Sequence, residues 1–288
     1  MVIAHLIGGL GNQMFQYAAA RALSSAKKET LLLDTSSFAS YTLHQGFELS
    51  KLFAGEICIA RDTDVKHVLG WQTAPRIRNY LHRPKLAWLR KASLIIEPSF
   101  HYWSGLQRAP DDCYLMGYWQ SERYFFDVAE EVRKDFTFKL DMSPQNIETA
   151  DKIRNTNAVS LHVRRGDYVN NSVYATCTRD YYRTAILHLS KHVNAPTFFV
   201  FSDDIDWVKN NLDIDFPLHY VNHNKGSESY NDMRLMSMCQ HNIIANSSFS
   251  WWGAWLNPSA DKVVVAPKKW FINNTNVNDL FPSAWVTL

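Results

Sequence analysis

The sequence predicts an α/β protein built as two halves, and three observations carry that prediction. Residues 1–34 read as strand, glycine turn, helix, strand, the pattern of a βαβ unit. Residues 158–266 alternate five short apolar strands with four helical stretches, which specifies a parallel, doubly wound sheet. The 288 residues are 46% hydrophobic and 20% charged, enough to bury a large core and unlike a disordered or coiled-coil chain.

The elements follow in order. Residues 2–7 are apolar, Gly8-Gly9-Leu10-Gly11 interrupts them, 12–27 are alanine-rich and helical, and 31–34 are apolar again. Residues 35–110 hold Pro75, Pro84, Pro98 and Pro110 and no clear period, so no element is assigned there. A strand is expected at 113–118 and a helix near 122–135. Ser143-Pro144 has the form of an N-cap with proline at the first helical position, opening a helix to about Arg154 that links the halves. Strands are then expected at 158–163, 197–201, 218–221, 242–245 and 262–266. Helices fall between them near 179–192, 204–212, 230–240 and 248–256. The expected division is 1–145 and 146–288.

Composition limits the functions available. Thirty Lys+Arg against 28 Asp+Glu leave a net charge of +2, which argues against nucleic-acid binding through bulk charge. No apolar run reaches the roughly 18 residues of a spanning helix. The first residues read as a strand and carry no basic leader, so a cytoplasmic protein is expected. Cys58, Cys113, Cys177 and Cys239 are too widely spaced for C-x-x-C chemistry and are expected to be buried, inert thiols.

Ligands of open parallel sheets bind outside the carboxyl ends of the strands, and three polar clusters follow three of the C-terminal strands. They are Arg164-Arg165-Gly166-Asp167, Ser202-Asp203-Asp204 and Asn246-Ser247-Ser248-Phe249. Their chemistry suits a nucleoside diphosphate. Arg164 and Arg165 offer planar, permanently charged forks for phosphate oxygens. Asn246-Ser247-Ser248 precedes a helix whose first N–H groups favour an anion. Asp203 can accept N–H bonds from a base edge, and Phe249 offers a face for stacking or packing. The alternatives are an Arg164–Asp167 ion pair and plain helix capping by Ser247 and Ser248. The turn at residues 8–13 is a poor dinucleotide fingerprint, because Met14 stands at the third glycine position. Gly11 can still bring backbone close to a charged ligand, and Asn12 can reach across a cleft.

Residues 8–17 (GGLGNQMFQY), 162–168 (HVRRGDY), Ser202-Asp203-Asp204 with Trp207-Val208-Lys209, and 246–257 (NSSFSWWGAWLN) together resemble the bacterial α-1,2-fucosyltransferases, glycosyltransferase family 11. The resemblance implies a GT-B-like fold, two Rossmann-type α/β halves facing a cleft. The C-terminal half would bind the donor, and the N-terminal half would help hold the acceptor. It implies GDP-β-L-fucose as donor, inversion to an α-linkage, no divalent metal, and a galactose hydroxyl of a surface glycan such as O-antigen as acceptor. By similarity Arg164 would bind the GDP phosphates, with His162, Asp203, Ser247, Ser248 and Phe249 around the nucleotide and Asn12 contacting the donor from the other half. Arg165 would either share the phosphate role or hold Asp167. Asp167 is the first candidate for the base that deprotonates the acceptor, with Glu228 and Asp232 behind it.

Other readings have weaker signals. Asp204-Ile205-Asp206 and Asp213-Ile214-Asp215 fit a D-x-D metal pattern but are short tripeptides expected to cap or face solvent. His188/His192 and His219/His223 are spaced i, i+4 without the glutamate of a zinc motif. A carbohydrate-binding module is suggested only by the many tryptophans and by Arg165-Gly166-Asp167. Trp103, Tyr118 and Trp119 either stack on sugars or build core. Between Val65 and Ile96 stand seven Lys/Arg (Lys66, Arg76, Arg78, Arg83, Lys85, Arg90, Lys91) and no acid, with Trp71, Tyr80 and Trp88 interleaved. That segment is either a solvated face or a surface for anionic lipid or a lipid-linked acceptor at the inner face of the membrane.

Overall fold

The computed structural model describes residues 1–40, 45–166, 169, 173, 175–273 and 275–288. It divides into two compact units, Met1–Lys139 with Asn278–Leu280, and Leu140–Val277 with Phe281–Leu288. The chain therefore divides ahead of the helix beginning at Pro144, because that helix packs on elements of the second unit.

The first unit contains β1 (Val2–His5), α1 (Leu10–Lys27), β2 (Leu31–Asp34), α2 (Leu49–Leu52), α3 (Asp62–Leu69), α4 (Pro75–Leu81), β3 (Leu94–Ile96), β4 (Cys113–Met116) and α5 (Ala129–Asp135). Its strands pair in parallel in the order β2-β1-β4-β3. The stretch without a period proves to be short pieces, each too brief to show one. Pro75 opens α4, and Pro84 opens a 3-10 turn over Pro84–Leu89, where a missing N–H costs nothing. The strand expected at 113–118 ends at Met116, and the chain turns through Trp119 at φ 55. The helix expected at 122–135 is two 3-10 turns followed by α5, since Phe125, at φ −134, breaks it.

The glycine turn after β1 is built by its own helix. Gly8 sits at φ 80, and a Cβ there would lie 2.6 Å from the Asn12 amide nitrogen, so a side chain at this position would be both strained and obstructed. Gln13 is fully buried and donates to the carbonyls of Gly8 and Gly46 at 3.0 and 2.8 Å, and Gln16 accepts the Ile7 N–H at 3.0 Å. Met14, Phe15 and Tyr17 are core. Most of the first motif thus folds the βα turn.

The second unit contains α6 (Pro144–Arg154), β5 (Asn157–Val163), α7 (Arg179–Ser190), β6 (Pro196–Ser202), α8 (Ile205–Asn211), β7 (Leu218–Val221), α9 (Tyr230–Met238), β8 (His241–Ile243), α10 (Ser248–Trp255), β9 (Val264–Ala266) and β10 (Val286–Thr287). Its six-stranded sheet runs β10-β9-β8-β5-β6-β7, with every pair parallel. The five expected strands form, and β10, two residues long, is the addition. Apolar side chains cover both sheet faces. Val159, Leu161 and Val163 enter one cluster with α7, while Ala158, Phe199 and Phe201 enter another with α6 and α9. Helix α10 is buried on all sides, with Trp251, Trp252 and Trp255 at most 3% exposed. Gly253 lets it approach α9, because a Cβ there would stand 2.9 Å from that of Met236. No helix among the described residues is long and apolar enough to cross a membrane.

Candidate functional site

Polar residues gather at the carboxyl ends of neighbouring strands in both sheets, and the second unit's sheet reverses strand order once. In the second unit the chain runs β5, β6, β7 to one side and then returns to β8 on the other, leaving a crevice at the carboxyl ends of β5 and β8. The parallel register aligns Val163 with Ser202, so the next residues, Arg164-Arg165 and Asp203-Asp204, face each other in sequence order. The Arg164 guanidinium lies 3.1 Å from the Asp203 carboxylate, and Arg165 lies 3.3 Å from that of Asp204. Asp203 also accepts the Arg165 backbone N–H at 2.9 Å. Gly166 leaves room for this, since a Cβ there would be 2.8 Å from a carboxylate oxygen of Asp203.

These contacts separate the two arginines. Arg165 is fixed to α8, because Asp204 caps that helix by accepting the Trp207 N–H and the Arg165 guanidinium lies 4.1 Å from the Trp207 ring centre. Arg164 stands at the end of β5 with 29% of its side chain exposed. Asp203, expected to read a base edge, instead has both oxygens on the 164–165 turn and positions it. The ion pair weighed for Arg164 forms with Asp203, and Asp167 lies outside the described residues. Asp204 is occupied as cap and ion-pair partner, which accounts for the first D-x-D.

Helix α10 begins where β5 ends. Ser247 is its N-cap and accepts the Phe249 N–H at 3.3 Å. The His162 and Phe249 rings stand 6.1 Å apart, so the first turn of α10 and the end of β5 meet. Burial, reinforced by the Arg164 charge, drives the His162 pKa down to about 3, so its imidazole is neutral at physiological pH. Its Nδ1 is buried and has no partner among the described residues. Ser248 and Phe249 are half-buried beside it.

Asn246 is corrected. Its side chain is 0% exposed and donates to the carbonyls of Ala175 and Trp270 at 2.6 and 2.9 Å. It ties two loops together and does not face a ligand. The same holds for most of the last motif: Asn257 bonds Gln240 and Asn242, and the tryptophans are core. Ser247, Ser248 and Phe249 are the part of it at the edge.

In the first unit β1 and β4 are parallel neighbours at the centre of the sheet. Gly11 and Asn12 lie in the first turn of α1, directly after β1, and Asn12 accepts the amide of Gln120, which follows β4, at 2.8 Å. Glu97, directly after β3, went unassigned in the sequence. It accepts the N–H groups of Tyr118 and Trp119 at 2.7 and 3.0 Å, and burial outweighs those bonds to push its pKa up to about 7. A carboxyl poised there can exchange a proton at neutral pH. The available signal was an acid ending the apolar run Leu94-Ile95-Ile96. Asp232, in the first turn of α9, is likewise pushed up to about 7 by burial, which outweighs the lowering bond from the Asn224 amide at 2.8 Å, and Glu228 accepts from Asn231. Of the aromatics weighed as sugar platforms, Trp119 is core at 1% exposed and Tyr118 is 38% exposed.

One further expectation changes, that for the cysteines. Cys58 is exposed, whereas Cys113, Cys177 and Cys239 are buried. His192 bonds the His188 carbonyl, and His223 bonds Asn146, so each pair has local partners. A groove of about 500 Å³ in the first unit is lined by Leu23, Tyr102, Leu106 and Tyr124 among others and includes none of the residues singled out above.

Comparison with known proteins bears on the family and the fold. The family model described as Glycosyl transferase family 11 matches residues 1–288. An alpha-1,2-colitosyltransferase of Escherichia coli is 38% identical over 299 residues, covering 100% of this chain and 99% of that protein. The O-antigen biosynthesis glycosyltransferase WbnK of Escherichia coli is 34% identical over 304 residues, 98% and 99% of the two chains. Human galactoside alpha-(1,2)-fucosyltransferase 1 is 27% identical over 197 residues, 60% of this chain and 51% of that one. Among solved structures, the NodZ alpha-1,6-fucosyltransferase soaked with GDP-fucose superposes with a TM-score of 0.54 at 14% identity, covering 89% and 92%. That likeness bears on the fold alone, and it agrees with two Rossmann-like halves of GT-B-like type.

Proposed function

The chain belongs to glycosyl transferase family 11, and from that premise we propose that it is an inverting α-1,2-fucosyltransferase. In this reading it moves L-fucose from GDP-β-L-fucose to a galactose hydroxyl of a surface glycan such as O-antigen, without a divalent metal. The observation that carries the reading is the carboxyl edge of β5 and β8. There Arg164, held by Asp203, lies on the same edge as the Ser247-capped start of α10.

Cleavage of the fucosyl C1–O bond builds positive charge on the sugar and negative charge on the departing diphosphate. Arg164 and the first N–H groups of α10 are aimed at that growing negative charge, which is where fixed dipoles and cations lower a barrier. Neutral His162 and half-buried Phe249 and Ser248 furnish an uncharged wall for the nucleoside. Asp203 and Arg165 position the cationic turn. Gly11 and Asn12 are assigned from the first motif of the resemblance, and Asp167 is the first candidate for the base because the acceptor hydroxyl needs a carboxylate to take its proton.

A second reading keeps the linkage and changes the sugar. The relative at 38% identity is a colitosyltransferase, so colitosyl transfer is the specific competitor. Incubating the protein with a galactose-terminated acceptor and either GDP-L-fucose or GDP-colitose separates the two. GDP release with fucose, and an α-1,2 linkage by NMR, is the expected result. Release from GDP-colitose alone would favour the second reading, and release from neither would overturn the GDP-sugar assignment.

A further inference from the structure

Helix α3, the 3-10 turn Gly70–Thr73, α4 and the 3-10 turn Pro84–Leu89 form a layer over the first unit's sheet. The inner side is apolar: Val65, Val68, Leu69 and Leu81 join Ile3, Leu94 and Ile96 in one cluster. The outer side is unusual. Trp88 is 79% exposed, Trp71 58% and Tyr80 56%, with Leu89 at 37%. Each of the three consecutive elements Gly70–Thr73, α4 and Pro84–Leu89 thus leaves a large ring open to solvent.

Charge identifies the partner. The whole chain carries only +2, yet no acidic residue occurs between Asp64 and Glu97. Lys66, Arg76, Arg83 and Lys85 are exposed on this layer, and the Arg83 guanidinium lies 4.8 Å from the Tyr80 ring centre. The structure removes Arg78 from the seven basic residues, since it is 4% exposed and paired with Asp34. Arg90 and Lys91 bond backbone carbonyls of Leu81 and Val68. Amphipathic rings beside cations suit the boundary between acyl chains and phosphate headgroups, where tryptophan and tyrosine concentrate and Lys/Arg meet anionic lipid. We propose that the outward face of α4 and its two flanking 3-10 turns docks on the headgroup region of an anionic phospholipid bilayer. This would hold the enzyme at the surface of a membrane, whichever sugar it transfers.

Co-sedimentation of the full chain with vesicles tests it. Phosphatidylcholine vesicles containing phosphatidylglycerol should pull the protein down at low salt and release it at high salt, while phosphatidylcholine alone should not. Each cation near an anionic surface is worth about fivefold in partitioning. Replacing Arg76, Arg83 and Lys85 together with Gln should therefore weaken binding by about a hundredfold. Trp88→Ala should weaken it by about tenfold. Both variants should keep wild-type turnover on a soluble acceptor, which shows that they fold. Wild-type protein left in the supernatant with phosphatidylglycerol at low salt would overturn the proposal. So would variants that turn over normally and bind as wild type, or binding indifferent to salt and lipid charge, which would point to an apolar partner instead.

Discussion

Replacing Arg164 with Ala is expected to lower kcat by about 10²–10³-fold, the loss seen when one fixed donor to a developing oxyanion is removed. The Asp203 partner explains why the effect falls on rate. The pair holds the guanidinium at the edge of β5, where the proposed reading puts the leaving diphosphate. Asp203 is itself 25% exposed, so water can solvate its carboxylate once the arginine is gone, and the melting temperature should change little. Arg164→Lys should recover only part of the rate, because an ammonium restores the charge without the planar fork. Steady-state kinetics with a thermal melt on each variant checks this. A variant that melts normally and turns over within a few-fold of wild type would remove Arg164 from the chemistry.

Arg78→Gln should act in the opposite way, on stability. Arg78 lies on the inner side of α4, 3.2 Å from Asp34 and hydrogen-bonded to Tyr114, which in turn donates to Asp34. Burial opposes ionisation of Asp34, but the bonds from Tyr114 and Ser36 outweigh it and hold its carboxyl below the usual range. Burial, reinforced by Arg78, takes the adjacent His5 down to about 4, leaving Arg78 as the cation that balances Asp34 near neutral pH. Removing one partner of a buried pair costs about 3–5 kcal/mol, or roughly 6–20 °C in melting temperature for a chain of this size. Arg76→Gln, two residues away and exposed, should shift the melt by no more than a degree or two. Equal melts for the two variants would show that the buried pair contributes no net stability.

The contrast between Arg76 and Arg78 shows where sequence reading runs out. Along the chain the two are members of one basic run; only the sheet beneath α4, carrying Asp34 and Tyr114, tells them apart. The second unit was legible because its strands are apolar and its helices long enough to show a period. Its central contact was not legible, since the sequence offers Asp167 as the partner of Arg164, but the register explains it: two arginines after one strand meet two aspartates after its parallel neighbour. The motifs were less transparent. Gln13, Gln16, Asn246 and Asn257 stand beside Asn12 and Ser247, yet they spend their amides on backbone and neighbouring side chains, a role no linear pattern separates from ligand binding. Glu97 stayed hidden because β3 is three residues long and the acid's importance comes from two N–H donors more than 20 positions away.

In the proposed reading, fixed charges and a helix end, with no divalent ion, receive the diphosphate. Calorimetric titration of GDP into the full chain in excess EDTA measures this directly, with wild type and Arg164→Ala compared. Unchanged affinity on adding Mg²⁺, and at least tenfold weaker binding by the variant, is the predicted result. GDP binding that appears only with Mg²⁺, or a variant that binds GDP as tightly as wild type, would contradict it.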